Sequence, residues 1–254
     1  MAEKVLVDYQ HSRRQLFKKI MHLPRVTRSR MVARLGPELS FALYETDLKL
    51  APYLDKRKGF FVELGANDGL AGSNTKFFEC YRDWTGVLIE PVPSYRKSLR
   101  LNRKSSNHFF HCAAVGFEYE QADMKILQAG LMSTPMGGFS LIANRVDHAR
   151  AGMQFIGGGL PTEIVVPART LDSMLTECNA PRRIDFLSLD VEGGELEVLN
   201  GIDHNSFRFN FALIEAWDQS LIMNFMSDKG YVLVQDWPQG ADLLFRDART
   251  AGIF

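Results

Sequence analysis

Acidic residues follow several apolar stretches of this 254-residue chain, at the points where buried strands would end. Glu63, Glu90, Asp190 and Glu215 stand at such points, and Glu192 follows Asp190 by two positions. Parallel strands of an open α/β sheet present their carboxyl ends at one edge, so we expect these carboxylates to converge on a ligand cleft. Carboxylates there could bind ribose hydroxyls, take a proton from a substrate or hold a hard cation.

The stretch 60–69, FFVELGANDG, predicts a buried strand followed by a tight turn, and residues 73–81 have helical character. Gly65 and Gly69 would let the backbone turn sharply and approach a ligand. Strand, glycine turn and helix open a doubly wound α/β domain, in which ligands bind over the carboxyl ends of the strands. The spacing is not G-x-G-x-x-G, so the dinucleotide fingerprint is not present in this stretch.

Two further strands would supply the nucleoside side of such a cleft. The stretch 84–91, WTGVLIEP, ends in Glu90, whose two oxygens match the vicinal hydroxyls of a ribose. This match serves any adenosine cofactor and does not separate NAD from S-adenosylmethionine. The predicted third strand, residues 107–115, ends in small residues around Ala113, which leave room for a flat ring such as adenine.

The second strong motif is IDFLSLDVEGGE at 184–195, which predicts a central strand with Asp190 at its carboxyl end and Glu192 in the following turn. The predicted fifth strand, residues 209–217, also ends in an acid, Glu215. These three residues are candidates for a catalytic base or a substrate orienter. They could equally hold a divalent cation that lowers the pKa of an acceptor hydroxyl, and the sequence does not choose between these roles.

Together the motifs resemble the FkbM-type S-adenosylmethionine-dependent methyltransferases over residues 59–231. The resemblance is carried by VELGANDG at 62–69, TLD at 170–172, LDVEGGE at 189–195 and VLNG at 198–201. It implies the class I methyltransferase (Rossmann-like) fold, a seven-stranded, mostly parallel sheet with helices on both faces and an antiparallel C-terminal hairpin strand. It also implies O-methylation of a hydroxyl on a sugar, glycan or other small molecule. The family's first motif often begins with Asp, where Glu63 stands here.

On this basis we assign the methionine end of S-adenosylmethionine to the glycine loop, the ribose to Glu90 and the adenine side to Ala113. The full set of predicted cofactor contacts is Glu63, Gly65, Asn67, Gly69, Ser73, Glu90, Ala113 and Asp190. The predicted catalytic residues are Asp190, Glu192 and Glu215. The alternative is a non-catalytic protein that binds a nucleoside or S-adenosylmethionine in the same cleft. A nicotinamide oxidoreductase is a weaker interpretation, because the glycine spacing fails.

The sequence divides into a basic N-terminal helical extension, residues 1–57, and a methyltransferase domain, residues 58–254. Residues 1–36 contain nine basic and two acidic residues, a net charge of about +7. Leu16, Phe17, Ile20 and Leu23 lie there at helical spacing, which predicts either a helix packed on the domain or a basic surface for an anionic substrate or a membrane. Residues 38–54 predict a second amphipathic helix with these core candidates: Phe41, Leu43, Tyr44, Leu48 and Leu50.

An insert at about 128–162 is rich in glycine and methionine and has weak periodicity, which predicts a functional loop or lid. Strands are expected beside it at 124–127 and 163–166. Its Arg145, His148 and Arg150 either face the substrate or form a solvated helix face, and we favour the solvated face. Further along, the sequence predicts a helix at 221–229 and a closing hairpin with its turn at 237–240.

Bulk composition excludes several classes of protein. Hydrophobic residues make up 46% of the chain, and thirty basic residues balance thirty acidic ones, so no global field favours nucleic acid. The three cysteines are far apart, which argues against a zinc site or disulfide scaffold. No apolar stretch approaches the roughly 20 residues that a membrane helix needs, and the N-terminus lacks an apolar signal region. We therefore expect a cytoplasmic protein, whose oligomeric state the sequence does not indicate.

Overall fold

The computed structural model describes residues 39–137, 140–155, 157–234 and 242–250. The basic segment 1–36, including the helical pattern from Leu16 to Leu23, lies outside the described residues, as does the predicted turn at 237–240. None of the helices in the described ranges has the length and apolar composition needed to cross a bilayer.

Strands and helices alternate along most of the described chain. The strands are β1 (Phe60–Leu64), β2 (Thr85–Ile89), β3 (His108–Phe110), β4 (Ala113–Val115), β5 (Asp123–Gln128), β6 (Thr134–Pro135), β7 (Thr162–Thr170), β8 (Arg183–Leu189), β9 (Arg208–Glu215), β10 (Tyr231–Leu233) and β11 (Asp242–Asp247). The helices are α1 (Thr46–Leu50), α2 (Lys76–Tyr81), α3 (Arg96–Asn102), α4 (Arg145–Phe155), α5 (Leu171–Glu177), α6 (Glu195–Asn200) and α7 (Gln219–Asp228).

The main sheet has seven strands in the order β10-β11-β9-β8-β1-β2-β3. Strands β1, β2, β3, β8 and β9 are parallel, whereas β11 is antiparallel to both of its neighbours. Leu64 pairs with Ile89 of β2 and with Leu189 of β8, so the three strands end at the same level. This register places the residues that follow them, Gly65, Glu90 and Asp190, side by side. The predicted fold class is confirmed.

Both faces of the main sheet are buried, which explains why its strands are nearly continuous apolar runs. Val62 belongs to the core under α5, α6 and α7, whereas Phe61 belongs to the opposite core with α1, α2 and α3. Alternate residues of β1 therefore stabilise opposite layers, as the pleat of a strand requires. Thr170 caps the start of α5, because its Oγ1 accepts the backbone N–H of Ser173 at 3.2 Å.

A second sheet, with the order β4-β7-β5-β6, was not predicted as a unit. The expected strands at 124–127 and 163–166 are confirmed within β5 and β7. The single strand expected at 107–115 is wrong, because Ala113–Val115 leaves the main sheet to pair with β7. The described part of the insert contains the 11-residue helix α4, so it is more regular than the sequence indicated.

The single helix expected at 38–54 is also wrong. Tyr44 and Glu45 have φ values of 51° and 59°, a left-handed conformation that ends a 3₁₀ turn before the short helix α1. Leu43 and Tyr44 are exposed, so they are not core residues. Phe41 and Leu50 are buried, as expected, in the same core as α2. The described part of the N-terminal extension is therefore packed into the domain.

Candidate active site

The loop after β1 is shaped by a close approach of two strand ends. Gly65 has a φ of 75°, and a Cβ added there would lie 1.9 Å from the backbone oxygen of Asp190. Asn67 also has a left-handed φ, 47°, and its side-chain amide donates to the Gly65 carbonyl at 2.9 Å. Only glycine fits at position 65, and the asparagine amide satisfies the carbonyl that this turn exposes.

Glu90 joins this loop to the end of β2. Its carboxylate accepts the backbone N–H of Asn67 at 2.8 Å and that of Val92 at 2.8 Å. The side chain is almost fully buried, and burial raises the pKa of Glu90 to about 7. The residue therefore supports the loop and also contributes to the cavity wall, where its carboxylate can meet a ligand hydroxyl.

A buried charged network lies beneath the loop. The Arg103 guanidinium donates to Glu63 at 2.8 Å and to Glu79 at 2.9 Å, and Lys76 pairs with Glu79 at 2.6 Å. Ser73 Oγ donates to Glu63 at 2.9 Å. Burial opposes ionisation of Glu79, but the charges of Arg103 and Lys76 prevail and hold its pKa at about 2.

Two predicted cofactor contacts, Glu63 and Ser73, thus direct their polar atoms into the network and away from the cavity wall. Gly69 is a third case, because the space where a Cβ would stand is filled by Leu99 and by the Arg103 side chain, at 2.7 and 2.8 Å. All three residues therefore stabilise the loop by packing against, or bonding to, the buried layer that contains Arg103. Sequence reasoning missed Arg103, whose only signal was its place at the end of a basic helix.

The strand ends and the loop border a cavity of about 680 Å³ that opens to solvent. The predicted residues that line it are Gly65, Asn67, Glu90, Ala113, Asp190 and Glu192. The opposite wall comes from the second sheet and the insert, and sequence reasoning missed its members Met124, Ile126, Leu131, Ser133 and Pro135.

Three predicted catalytic carboxylates meet beside this cavity. Oxygens of Asp190, Glu192 and Glu215 lie within 4.8 Å of one another. Asp190 is exposed to solvent within the cleft. Its pKa is still raised well above its ordinary value, first by the surrounding protein and then by the negative charge of Glu215. Burial, followed by repulsion from Asp190, raises the pKa of Glu192 to about 10, and burial raises that of Glu215 to about 7. Near neutral pH the cluster therefore holds protons unless a cation compensates its charge.

His148 of α4 completes the cluster from the insert side. Its Nε2 lies 2.8 Å from Glu192 Oε2, and its side chain is only 8% exposed. The imidazole also meets the ring of Trp217 edge-on at 5.1 Å, and the indole N–H of Trp217 donates to Glu215 at 2.9 Å. The solvated helix face that we favoured is wrong for His148, whereas Arg150 is exposed. No sequence spacing singled out this histidine, because its partner is 44 positions away.

The described residues fit an adenosyl cofactor. A glycine position that admits no side chain adjoins the cavity, a buried acid stands at the end of β2, and Ala113 offers the small wall that a flat ring requires. With the strand order of the main sheet and its antiparallel β11, this site defines a class I S-adenosylmethionine-dependent methyltransferase. The model of the methyltransferase FkbM domain matches residues 63–233. The chain therefore belongs to the FkbM methyltransferase family, as its motifs indicated.

Solved structures similar to this chain include two methyltransferases. A precorrin-6y C5,15-methyltransferase from Geobacter metallireducens is 11% identical, with a TM-score of 0.37 over 78% of this chain and 84% of that one. A TehB-like SAM-dependent methyltransferase from Corynebacterium glutamicum is 12% identical, with a TM-score of 0.39 over 87% and 95%. No curated protein matches the sequence significantly.

Proposed function

We propose that this protein transfers a methyl group from S-adenosylmethionine to a hydroxyl of a sugar, glycan or other small molecule. The observation that carries the proposal is the position of the carboxylates. Asp190 and Glu192 line the same cavity as the glycine loop and Glu90, and Glu215 lies within 4.8 Å of both. A hydroxyl acceptor needs a proton acceptor beside the methyl donor, and this cluster supplies one.

Different residues of the chain would bind different parts of the cofactor. Gly65 and Asn67 would hold the methionine end through the backbone of the loop, Glu90 would accept hydrogen bonds from the ribose hydroxyls, and Ala113 would contact the adenine. When bound, S-adenosylmethionine supplies a methyl carbon to the acceptor oxygen, and the electron pair of the carbon–sulfur bond leaves with the sulfur. The protein contributes alignment and a partly enclosed site in which charges act strongly.

The carboxylate cluster takes the proton of the acceptor hydroxyl. Asp190 and Glu192 line the cavity and can receive it in their ionised forms, whose population their raised pKa values reduce near neutral pH. Glu215 has a pKa of about 7 and an oxygen within 4.8 Å of Asp190, so the cluster can return the proton to solvent near neutral pH. Carboxylate bases of this kind contribute about 10²–10⁴-fold to a rate.

The second candidate role of the carboxylate cluster is to bind a divalent cation. Three carboxylate oxygens within 4.8 Å suit a hard cation, and a bound cation would lower the pKa of an acceptor hydroxyl. Methyl transfer measured with a chelator and in the Asp190→Asn variant tests both roles. Activity that is lost only in the variant supports a base, and activity that is lost in both supports a cation. Activity unchanged in both removes Asp190 and a metal from the mechanism.

The first experiment is calorimetry with S-adenosylmethionine, followed by transfer of its labelled methyl group to a panel of methyl glycosides and glycolipids. Binding together with transfer supports the proposal. Binding without transfer to any acceptor favours the alternative, a non-catalytic nucleoside-binding protein. Failure to bind the cofactor would remove both interpretations.

Two proposals come from the sequence outside the site. The basic segment 1–36 would meet an anionic substrate carrier or membrane surface, and the protein would act in the cytoplasm. Sedimentation with vesicles tests the first proposal. Binding to vesicles of phosphatidylglycerol that is absent with phosphatidylcholine, and that falls with added salt, is the expected result.

A further inference from the structure

The insert between β5 and β7 is tied to the turn that carries Glu192 by three contacts. Thr134 Oγ1 donates to the Glu192 carbonyl at 2.8 Å, and the Leu141 N–H donates to the Gly193 carbonyl at 2.8 Å. The third contact joins side chains, His148 Nε2 to Glu192 Oε2 at 2.8 Å. The insert therefore holds both the backbone and the carboxylate of one residue in the cavity wall.

The turn itself has a conformation that needs such support. Glu192 has a φ of 56°, which is uncommon for a residue other than glycine. Gly193 has a φ of 95°, and a Cβ there would lie 2.6 Å from Ser140 Oγ and 2.9 Å from Ile142, both in the insert. Backbone of this kind persists where the surroundings fix it, and it is concentrated at functional sites. Here the insert fixes it together with Glu195, whose carboxylate accepts the backbone N–H groups of Val191 and Gly193 at 3.1 and 3.0 Å.

The imidazole of His148 is itself held in place. Ala149 is fully buried, and a Cβ added to Gly152 would lie 2.4 Å from the Ala129 carbonyl, so α4 packs tightly against the turn after β5. The ring of Trp217, just after β9, lies 5.1 Å from the imidazole and nearly perpendicular to it. A fixed imidazole between the insert and β9 leaves little freedom for the carboxylate that it contacts.

We propose that His148, which lies behind the cavity wall, is a positioning residue that aims the Glu192 carboxylate at the transferring methyl group. This inference rests on the proposed function. His148 acts through Glu192 and takes no part in the bond changes. Loss of the imidazole would free the Glu192 side chain while leaving the cofactor contacts of Gly65 and Glu90 intact.

The test uses S-adenosylmethionine with a ¹³C-labelled methyl group, bound to the full chain, and isotope-filtered NOE spectroscopy. In the unmodified protein we expect cross-peaks from the labelled methyl group to the side chains of Glu192 and Trp217. His148→Ala should lose the Glu192 cross-peaks with a cofactor Kd unchanged within about twofold, since His148 does not line the cavity. His148→Gln, whose amide offers both a donor and an acceptor in place of Nε2, should restore the cross-peaks. Arg150→Ala, on the exposed side of α4, should leave them unchanged.

A purely structural role for His148 predicts a lower Tm in both His148 variants with unchanged cross-peaks, and that result overturns the proposal. Cofactor that binds without any methyl cross-peak to Glu192 or Trp217 also overturns it, while cofactor binding itself stands. Cofactor that does not bind at all overturns the proposed function and this inference together. If His148→Ala does not fold, His148→Phe keeps an aromatic ring at this position and removes the nitrogen that contacts Glu192. Loss of the Glu192 cross-peaks in His148→Phe supports the proposal, and unchanged cross-peaks contradict it.

Discussion

The Glu90 carboxylate accepts the backbone N–H of Asn67 at 2.8 Å, and this hydrogen bond joins the end of β2 to the glycine loop after β1. One side chain therefore fixes the loop and lines the cavity in which we propose that the cofactor binds. Since burial raises the pKa of Glu90 to about 7, its charge changes near neutral pH. The affinity for the cofactor should therefore depend on pH in this range.

We expect S-adenosylmethionine to bind about tenfold more tightly at pH 8 than at pH 6, because only ionised Glu90 offers both oxygens to the ribose hydroxyls. The group is an acid with a raised pKa, so it holds its proton below pH 7 and must lose it for binding. Glu90→Gln should bind more weakly and show a flatter pH dependence. Calorimetry at the two pH values measures both effects. An equal pH dependence in the two proteins would assign the titration to other groups.

Gly65→Ala should destabilise the protein far more than Gly158→Ala. Both glycines have positive φ, 75° and 95°, but only the Cβ at position 65 meets backbone, the Asp190 oxygen at 1.9 Å. Nothing lies within 4 Å of a Cβ at position 158, so that variant isolates the cost of a left-handed alanine, about 1–2 kcal/mol. We expect a loss of about 3 kcal/mol or more at position 65, measured by urea unfolding. Equal losses would show that the strand ends separate easily.

Arg103→Met should lower the free energy of unfolding by about 3–5 kcal/mol, because it leaves the buried carboxylates of Glu63 and Glu79 without their shared partner. Arg100→Met is the matched control on the same helix. Arg100 is exposed and contacts the Phe109 ring at 5.0 Å, so its loss should cost less than about 1 kcal/mol. Urea unfolding measures both variants. Similar values for the two would mean that the network does not stabilise the loop.

His204 should make the protein sensitive to acid. Burial lowers its pKa to about 4, and its Nε2 contacts the Leu199 carbonyl at 3.0 Å. The folded state thus prefers neutral His204, so stability is lost as the pH falls from about 6.5 towards 4. Between pH 7 and pH 4.5 this group should remove about 2–3 kcal/mol. The loss should shrink in His204→Gln and persist in the exposed control His108→Gln, with unfolding followed at both pH values.

Local sequence patterns were enough to predict most of the main sheet and the residues at its carboxyl edge. The apolar runs that end at Leu64, Ile89 and Leu189 are strands because both of their faces are buried, and that pattern is visible in the sequence. Gly65 and Glu90 follow these runs directly, so their place at the edge of the sheet comes from strand order alone. The break in the helix expected at 38–54 was not visible, because left-handed Tyr44 and Glu45 carry no glycine signal.

The sequence by itself determined the fold class, the glycine loop and the approach of the three carboxylates, since each depends on residues next to one another in the chain or on the ends of neighbouring strands. Only the tertiary structure decided the rest. It directed Glu63 towards Arg103, 40 positions away, and it brought His148 to Glu192, 44 positions away. Such pairs depend on how the insert and the helices pack, and no periodicity in the sequence records a contact between elements that fold against each other.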